Sequence, residues 1–143
     1  MRKGRLLVVG LLGMTSWLTL PVAHAAETKL HADLLGTEEV GGGDPAGKGT
    51  ADITLDDATN KVCYEFHYKA DGKPTAAHIH AGAKGVSGPP VVDLNMPTNG
   101  DKGCVGTDAT TLGKIRDNPA GYYVNIHTDK YPKGAIRGQL AKA

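Results

Sequence analysis

The sequence predicts an all-β fold, a Greek-key β-sandwich or flattened barrel with one short helix. Three observations carry this. Short segments of alternating polarity are separated by turn residues along most of the chain. Glycine and proline number 20 and 8 among 143 residues, punctuation that suits a loop-rich β domain better than a helical bundle. The clearest segment, Lys61 to Lys69, puts Val62, Tyr64, Phe66 and Tyr68 on one face and Cys63, Glu65 and His67 on the other.

The first residues read differently. Arg2, Lys3 and Arg5 precede an uncharged run from Leu6 to Ala23, which ends in the small-x-small triplet Ala23-His24-Ala25. This is the pattern of a secretory signal peptide over residues 1–25, cleaved after Ala25; Gly10, Gly13, Ser16 and Pro21 interrupt the run and argue against a spanning helix. Cleavage leaves one domain, residues 26–143, with 13 basic against 15 acidic side chains in place of the full chain's net +1. Neither balance offers a basic patch for nucleic acid. The expected location is secreted or periplasmic, with no membrane span after cleavage.

Within the domain, Lys29 to Leu35 alternates with Leu30, Ala32 and Leu34 on one face, and a glycine-rich loop follows from Gly36 to Gly49. Thr50 to Leu55 alternates again, and Asp56 to Asn60 has hairpin-turn composition. Lys61 to Lys69 follows, then Ala76 to His80, which enters a loop from Ala81 to Pro90. Val91 to Leu94 and Gly103 to Val105 are further strands. Asp108 is placed to cap a helix from Ala109 to Arg116, stopped by Asn118-Pro119. Tyr122 to Thr128 and Ala135 to Leu140 complete about eight strands.

Cys63 and Cys104 are the two cysteines. In an exported protein an isolated pair reads most simply as a disulfide, worth roughly 3–4 kcal/mol for a loop of about 40 residues. Thiolate metal ligation is the alternative.

The chemistry-bearing pattern is His78-Ile79-His80. Residues i and i+2 of a strand share a face, so two imidazoles there can converge on one ion. His127, near the end of its strand and on the face of Tyr123 and Asn125, is the natural third ligand. Imidazole suits copper and zinc, and a nitrogen-rich site favours Cu(II), with zinc the lesser expectation. Three histidines with no fourth ligand leave an open position. Against this stands the reading that the histidines are solvated or bond the scaffold. His67, sharing a face with Glu65 and Cys63, is a weaker candidate: it could be a fourth ligand or support one, and reads first as exposed. Met96 reads as loop packing, and Glu38-Glu39 as loop charge. No G-x-S-x-G, phosphate loop or zinc-finger cysteine spacing occurs, and Ser87 as the one serine after the signal nearly excludes serine hydrolysis.

Several stretches together resemble a known family. Gly36-Thr37-Glu38-Glu39-Val40, Ala77-His78-Ile79-His80-Ala81-Gly82, Gly88-Pro89-Pro90-Val91-Val92, Tyr122 to Thr128 and Tyr131 to Leu140 resemble, in order, the CHRD (chordin-type) domain, over about Lys29 to Ala141. The resemblance implies an immunoglobulin-like sandwich or barrel and a secreted location, without a settled activity. A fainter similarity is to copper–zinc superoxide dismutase. His78-Ile79-His80 looks like that family's paired copper ligands, His127 like its late copper histidine, and Arg137 like the arginine that guides the anion. No bridging histidine or zinc loop appears, so this similarity implies copper-only binding at most.

The expected function is therefore an exported protein that binds a copper-type ion through His78, His80 and His127, with a role in copper handling or superoxide-type redox chemistry. In that reading Arg137 guides a small anion. The alternative is a non-enzymatic extracytoplasmic binding module that holds no metal and meets a protein partner. The balance leans away from an enzyme.

Overall fold

The computed structural model describes residues 27–96 and 100–143, so the signal segment expected at residues 1–25 lies outside the described residues. Among the described residues nine strands form one antiparallel sheet: β1 (Thr28–Leu35), β2 (Lys48–Asp56), β3 (Lys61–Lys69), β4 (Pro74–Ala81), β5 (Pro90–Asp93), β6 (Lys102–Gly106), β7 (Tyr122–Thr128), β8 (Ile136–Gln139) and β9 (Ala141–Lys142). Helix α1 (Ala109–Asp117) lies between β6 and β7. The strand order is β5-β4-β7-β8-β1-β2-β3-β6, with β9 paired to β1. Among the described residues no helix is long and apolar enough to cross a membrane.

The two halves of this sheet share one core. Leu30, Ile53, Val62, Tyr64 and Phe66 from β1–β3 are buried in the same cluster as Ile79, Val124, Ile126 and Ile136 from β4, β7 and β8. A sheet that encloses its own core must curl, which makes the all-β flattened barrel that the alternation predicts. Leu112 and Ile115 of α1 are buried in that cluster as well. Residues next to β5 and β6 are tied to the sheet as well: Leu94 N–H donates to the Ala77 carbonyl, Phe66 N–H donates to the Asp101 carbonyl, and Met96 is buried.

Local chemistry explains most element boundaries. Asp108 caps α1, its carboxylate accepting from the Thr111 N–H at 2.9 Å. Asp56 accepts from the Ala58 and Thr59 amides and so closes the β2–β3 turn, where Asn60 adopts a positive φ of 53°. Cys63 and Cys104 face each other across β3 and β6 and form the disulfide. The expected last strand is split at Leu140: β8 lies between β7 and β1 and pairs with both, whereas β9 beyond it pairs with β1 alone. The first residues of β2 and β4 also extend earlier than the alternation alone predicts, with an irregularity between Pro74 and Ala76.

The feature that matters for function is the sheet's second face. Alternation sends Ala77, Ile79, Val124, Ile126 and Ile136 inward, so His78, His80, Tyr123, Asn125, His127 and Arg137 point the other way. On β1–β3 the equivalent face is wet and carries His31, Asp52, Glu65 and His67. On β7 and β8 it is covered by loops, and Tyr123, Asn125 and Arg137 are buried. A polar layer thus lies beneath loops on one side of an apolar core.

Candidate metal centre

Register brings the three histidines together. In the β4–β7 pair His78 stands opposite Asn125, His80 opposite Tyr123, and Ala76 opposite His127. His127 is therefore the diagonal neighbour of His78. His78 Nδ1 lies 3.2 Å from His127 Nε2. One nitrogen from each of His78, His80 and His127 lies within 4.8 Å of the other two, and all three side chains are half-buried. Two nitrogens bound to one tetrahedral ion at ~2.0 Å stand about 3.3 Å apart. The His78–His127 pair already has that spacing.

Backbone carbonyls fix which nitrogens are available. His80 Nδ1 is 2.9 Å from the Gly88 carbonyl and His127 Nδ1 is 3.0 Å from the Pro132 carbonyl. A carbonyl only accepts, so both Nδ1 atoms carry hydrogen and the neutral rings keep their lone pairs on Nε2. His80 Nε2 is buried and has no hydrogen-bond partner. A buried acceptor without a partner is unfavourable by roughly 1–3 kcal/mol, and a cation would remove that deficit. In the metal-free protein the His78–His127 contact is a hydrogen bond donated by His78 Nδ1, and a cation would take that proton's place.

Electrostatics favour the neutral form of His78 and His80. Burial holds His78 below the ordinary histidine range, helped by His127 and His80 and opposed by Asp93. Burial likewise lowers His80; the bond to Gly88 opposes this, and His127 and Arg137 reinforce it. Neutral imidazole is the form that ligates.

The rest of the polar layer surrounds this trio. The Tyr123 ring stacks on His80 with centroids 4.9 Å apart and an 11° angle between planes. The Arg137 guanidinium sits 3.4 Å from the centre of the Tyr123 ring and donates to the Ala83 carbonyl at 2.9 Å. Glu39 reaches in from the loop after β1 and accepts a hydrogen bond from Asn125 Nδ2. Its pKa is pushed up to about 7 by burial, against the opposing pull of Arg137 and Asn125. Gly134 makes room: at its φ of +138°, a Cβ would lie 2.6 Å from both Asn125 and Glu39.

Three further side chains singled out in the sequence are placed by this structure. His67 does not join the trio. It sits on β3, opposite Thr50, with a side chain 69% exposed and 3.5 Å from Glu65. Arg137 is not a solvent-facing anion guide. It is 2% exposed, committed to the Tyr123 ring and the Ala83 carbonyl, and has no open face toward an incoming ion. Glu39 likewise is no loop charge, whereas its neighbour Glu38 pairs with Lys84 at 2.9 Å on the surface. The supporting carbonyls of Gly88 and Pro132 leave no mark in a sequence, since every residue has one. The one available sign for Asn125 is its place on the face of His127.

A family model described as the CHRD domain matches residues 30–140. None of the curated proteins and none of the solved structures matches the chain. The match leaves out only the first two residues of β1 and the two-residue β9 of the curled sheet and includes all three histidines, so the chain belongs to the CHRD domain family.

Proposed function

We propose that this CHRD domain binds a copper-type ion through His78, His80 and His127 and works outside the cytoplasm as a metal-handling protein. The observation that carries the reading is the buried, partnerless Nε2 of His80, held beside two further imidazoles whose ring nitrogens lie within 4.8 Å. The donor set is three neutral nitrogens with no thiolate or carboxylate among them, which suits copper before zinc and leaves a position open. When bound, copper supplies a one-electron couple and a Lewis-acid centre at that position. The protein's own residues hold the ligand tautomers, half-bury the rings beneath the loops and favour the neutral form of His78 and His80.

Export fits the same reading. The basic start, apolar run and Ala23-His24-Ala25 triplet of residues 1–25 direct the chain outward, and the Cys63–Cys104 disulfide suits an oxidising compartment. Catalysis is the weaker part: Arg137, committed to Tyr123 and Ala83, is not free to draw a superoxide-like anion to the metal. A second reading, an extracytoplasmic interaction module without metal, is favoured by the family's association with extracellular binding.

Elemental analysis of the purified domain after copper loading and desalting separates the two. The metal reading predicts one copper per chain, lost in the His78→Ala/His80→Ala/His127→Ala triple variant. Equal, substoichiometric copper in both proteins would leave the interaction module.

A further inference from the structure

We propose that Tyr123 is the positioning residue that sets His80 in the ligating tautomer, and that Arg137 serves the centre by pinning Tyr123. The inference rests on the metal reading for its purpose, but its geometry belongs to the metal-free protein. The Gly88 peptide is the junction. Its carbonyl accepts from His80 Nδ1, while its N–H donates to the Tyr123 hydroxyl at 3.2 Å. The same hydroxyl lies 3.4 Å from the Gly88 carbonyl. The Tyr123 ring therefore touches His80 twice, directly by stacking and indirectly through the peptide that holds its Nδ1.

That peptide has nowhere else to go. A Cβ on Gly88 would lie 1.5 Å from the Ala81 carbonyl oxygen, so the loop closes there with no space for a side chain. Side chains of β7 and β8 pull the loop down along its length. Arg137 donates to the Ala83 carbonyl, Gln139 donates to the Gly82 carbonyl at 2.7 Å, and Tyr123 meets Gly88. Because β7 lies between β4 and β8, His80 and Arg137 approach the Tyr123 ring from the two flanking strands. Tyr123 is thus held between the cation and the imidazole. A ring fixed in this way leaves His80 one hydrogen-bonding choice, Nδ1–H to Gly88, and aims the Nε2 lone pair at the trio. His127 provides an internal control, because its Nδ1 is held independently by Pro132.

The test reads the tautomers of the metal-free protein by ¹⁵N NMR of the imidazole nitrogens, in the wild type, Tyr123→Phe and Tyr123→Leu. Phe keeps the stack and removes the hydroxyl, whereas Leu removes both. The expected result is Nδ1–H at both His80 and His127 in the wild type. Leu should give a mixed tautomer at His80 alone, and Phe an intermediate response. Copper(II) affinity by competition titration should fall about 10-fold or more in the Leu variant, as outer-shell losses usually do, with a changed copper(II) EPR signature. If Leu fails to fold, Phe decides by the same His80 readout. A His80 tautomer unchanged in both variants, or an equal loosening of His80 and His127, overturns the assignment. A His80-specific response in a wild type that binds no copper supports the positioning role and removes only the metal reading.

Discussion

His78 Nδ1 and His127 Nε2 stand 3.2 Å apart, although 49 residues separate them in the chain. Nothing local in the sequence makes that contact. It follows from the antiparallel pairing of β4 with β7, which places His127 opposite Ala76 and so one diagonal step from His78. If one ion bridges these rings, it also joins two strands of the folded sheet that the unfolded chain would leave apart.

Metal should therefore stabilise the fold. At free copper a hundredfold above Kd, linkage gives about 2.7 kcal/mol. Thermal denaturation with copper and with a chelator should show a clear rise in Tm for the wild type and no rise for His127→Ala. The same variant without metal should lose roughly 1 kcal/mol, since it deletes the ring that bonds both His78 and the Pro132 carbonyl.

Glu39 makes a signed prediction about pH. Its folded pKa is raised from 4.5 to about 7, so the folded state holds a proton that the unfolded state releases. Its contribution to stability is then fully present below about pH 4.5 and is lost as pH rises through about 7. The groups facing it are Arg137 and Asn125, both favouring the charged form but outweighed by burial. Glu39→Gln should be more stable than the wild type at pH 8 and should lose that advantage at pH 4. Urea melts at the two pH values measure the difference; an advantage that grows toward low pH would contradict the assignment.

Gly88 has no room for a methyl group. A Cβ there would meet the Ala81 carbonyl oxygen at 1.5 Å, so Gly88→Ala must displace backbone. We expect a loss of about 1–3 kcal/mol in denaturant melts. Copper affinity should fall with it, because the His80 Nδ1 partner moves. Gly85 has a positive φ of 79° but nothing within 4 Å of a built Cβ, so Gly85→Ala should lower stability through backbone strain while affinity stays near the wild-type value.

The disulfide should separate stability from site chemistry. Cys63 and Cys104 pair on β3 and β6, at the opposite end of the strand order from β4 and β7. Cys63→Ala/Cys104→Ala should lose roughly 3–4 kcal/mol, with copper stoichiometry unchanged in the folded protein.

Much of this architecture was legible from alternation. The apolar faces of β1, β2 and β3, the capped helix and the hairpin at Asp56 all follow from residue periodicity and turn chemistry. His78 and His80 were legible as a pair because a strand repeats every two residues. The remainder depended on what covers the sheet. His67 and His78 both occupy outward positions of a strand, yet one is wet and the other half-buried, because His78 sits on β4 against the loop-covered β7, whereas β3 has no such cover. Glu39 and Arg137 look like surface charges in the sequence and are placed in the polar layer by those same loops. The tautomers of His80 and His127 rest on backbone carbonyls, which no residue type announces.

The central claim is that His78, His80 and His127 bind one copper-type ion together. X-ray absorption at the copper edge of the loaded domain tests it most directly. Three nitrogen scatterers at about 2.0 Å with the outer-shell pattern of imidazole are the predicted result. A first shell of oxygen alone, or a spectrum unchanged in the triple histidine variant, would contradict it.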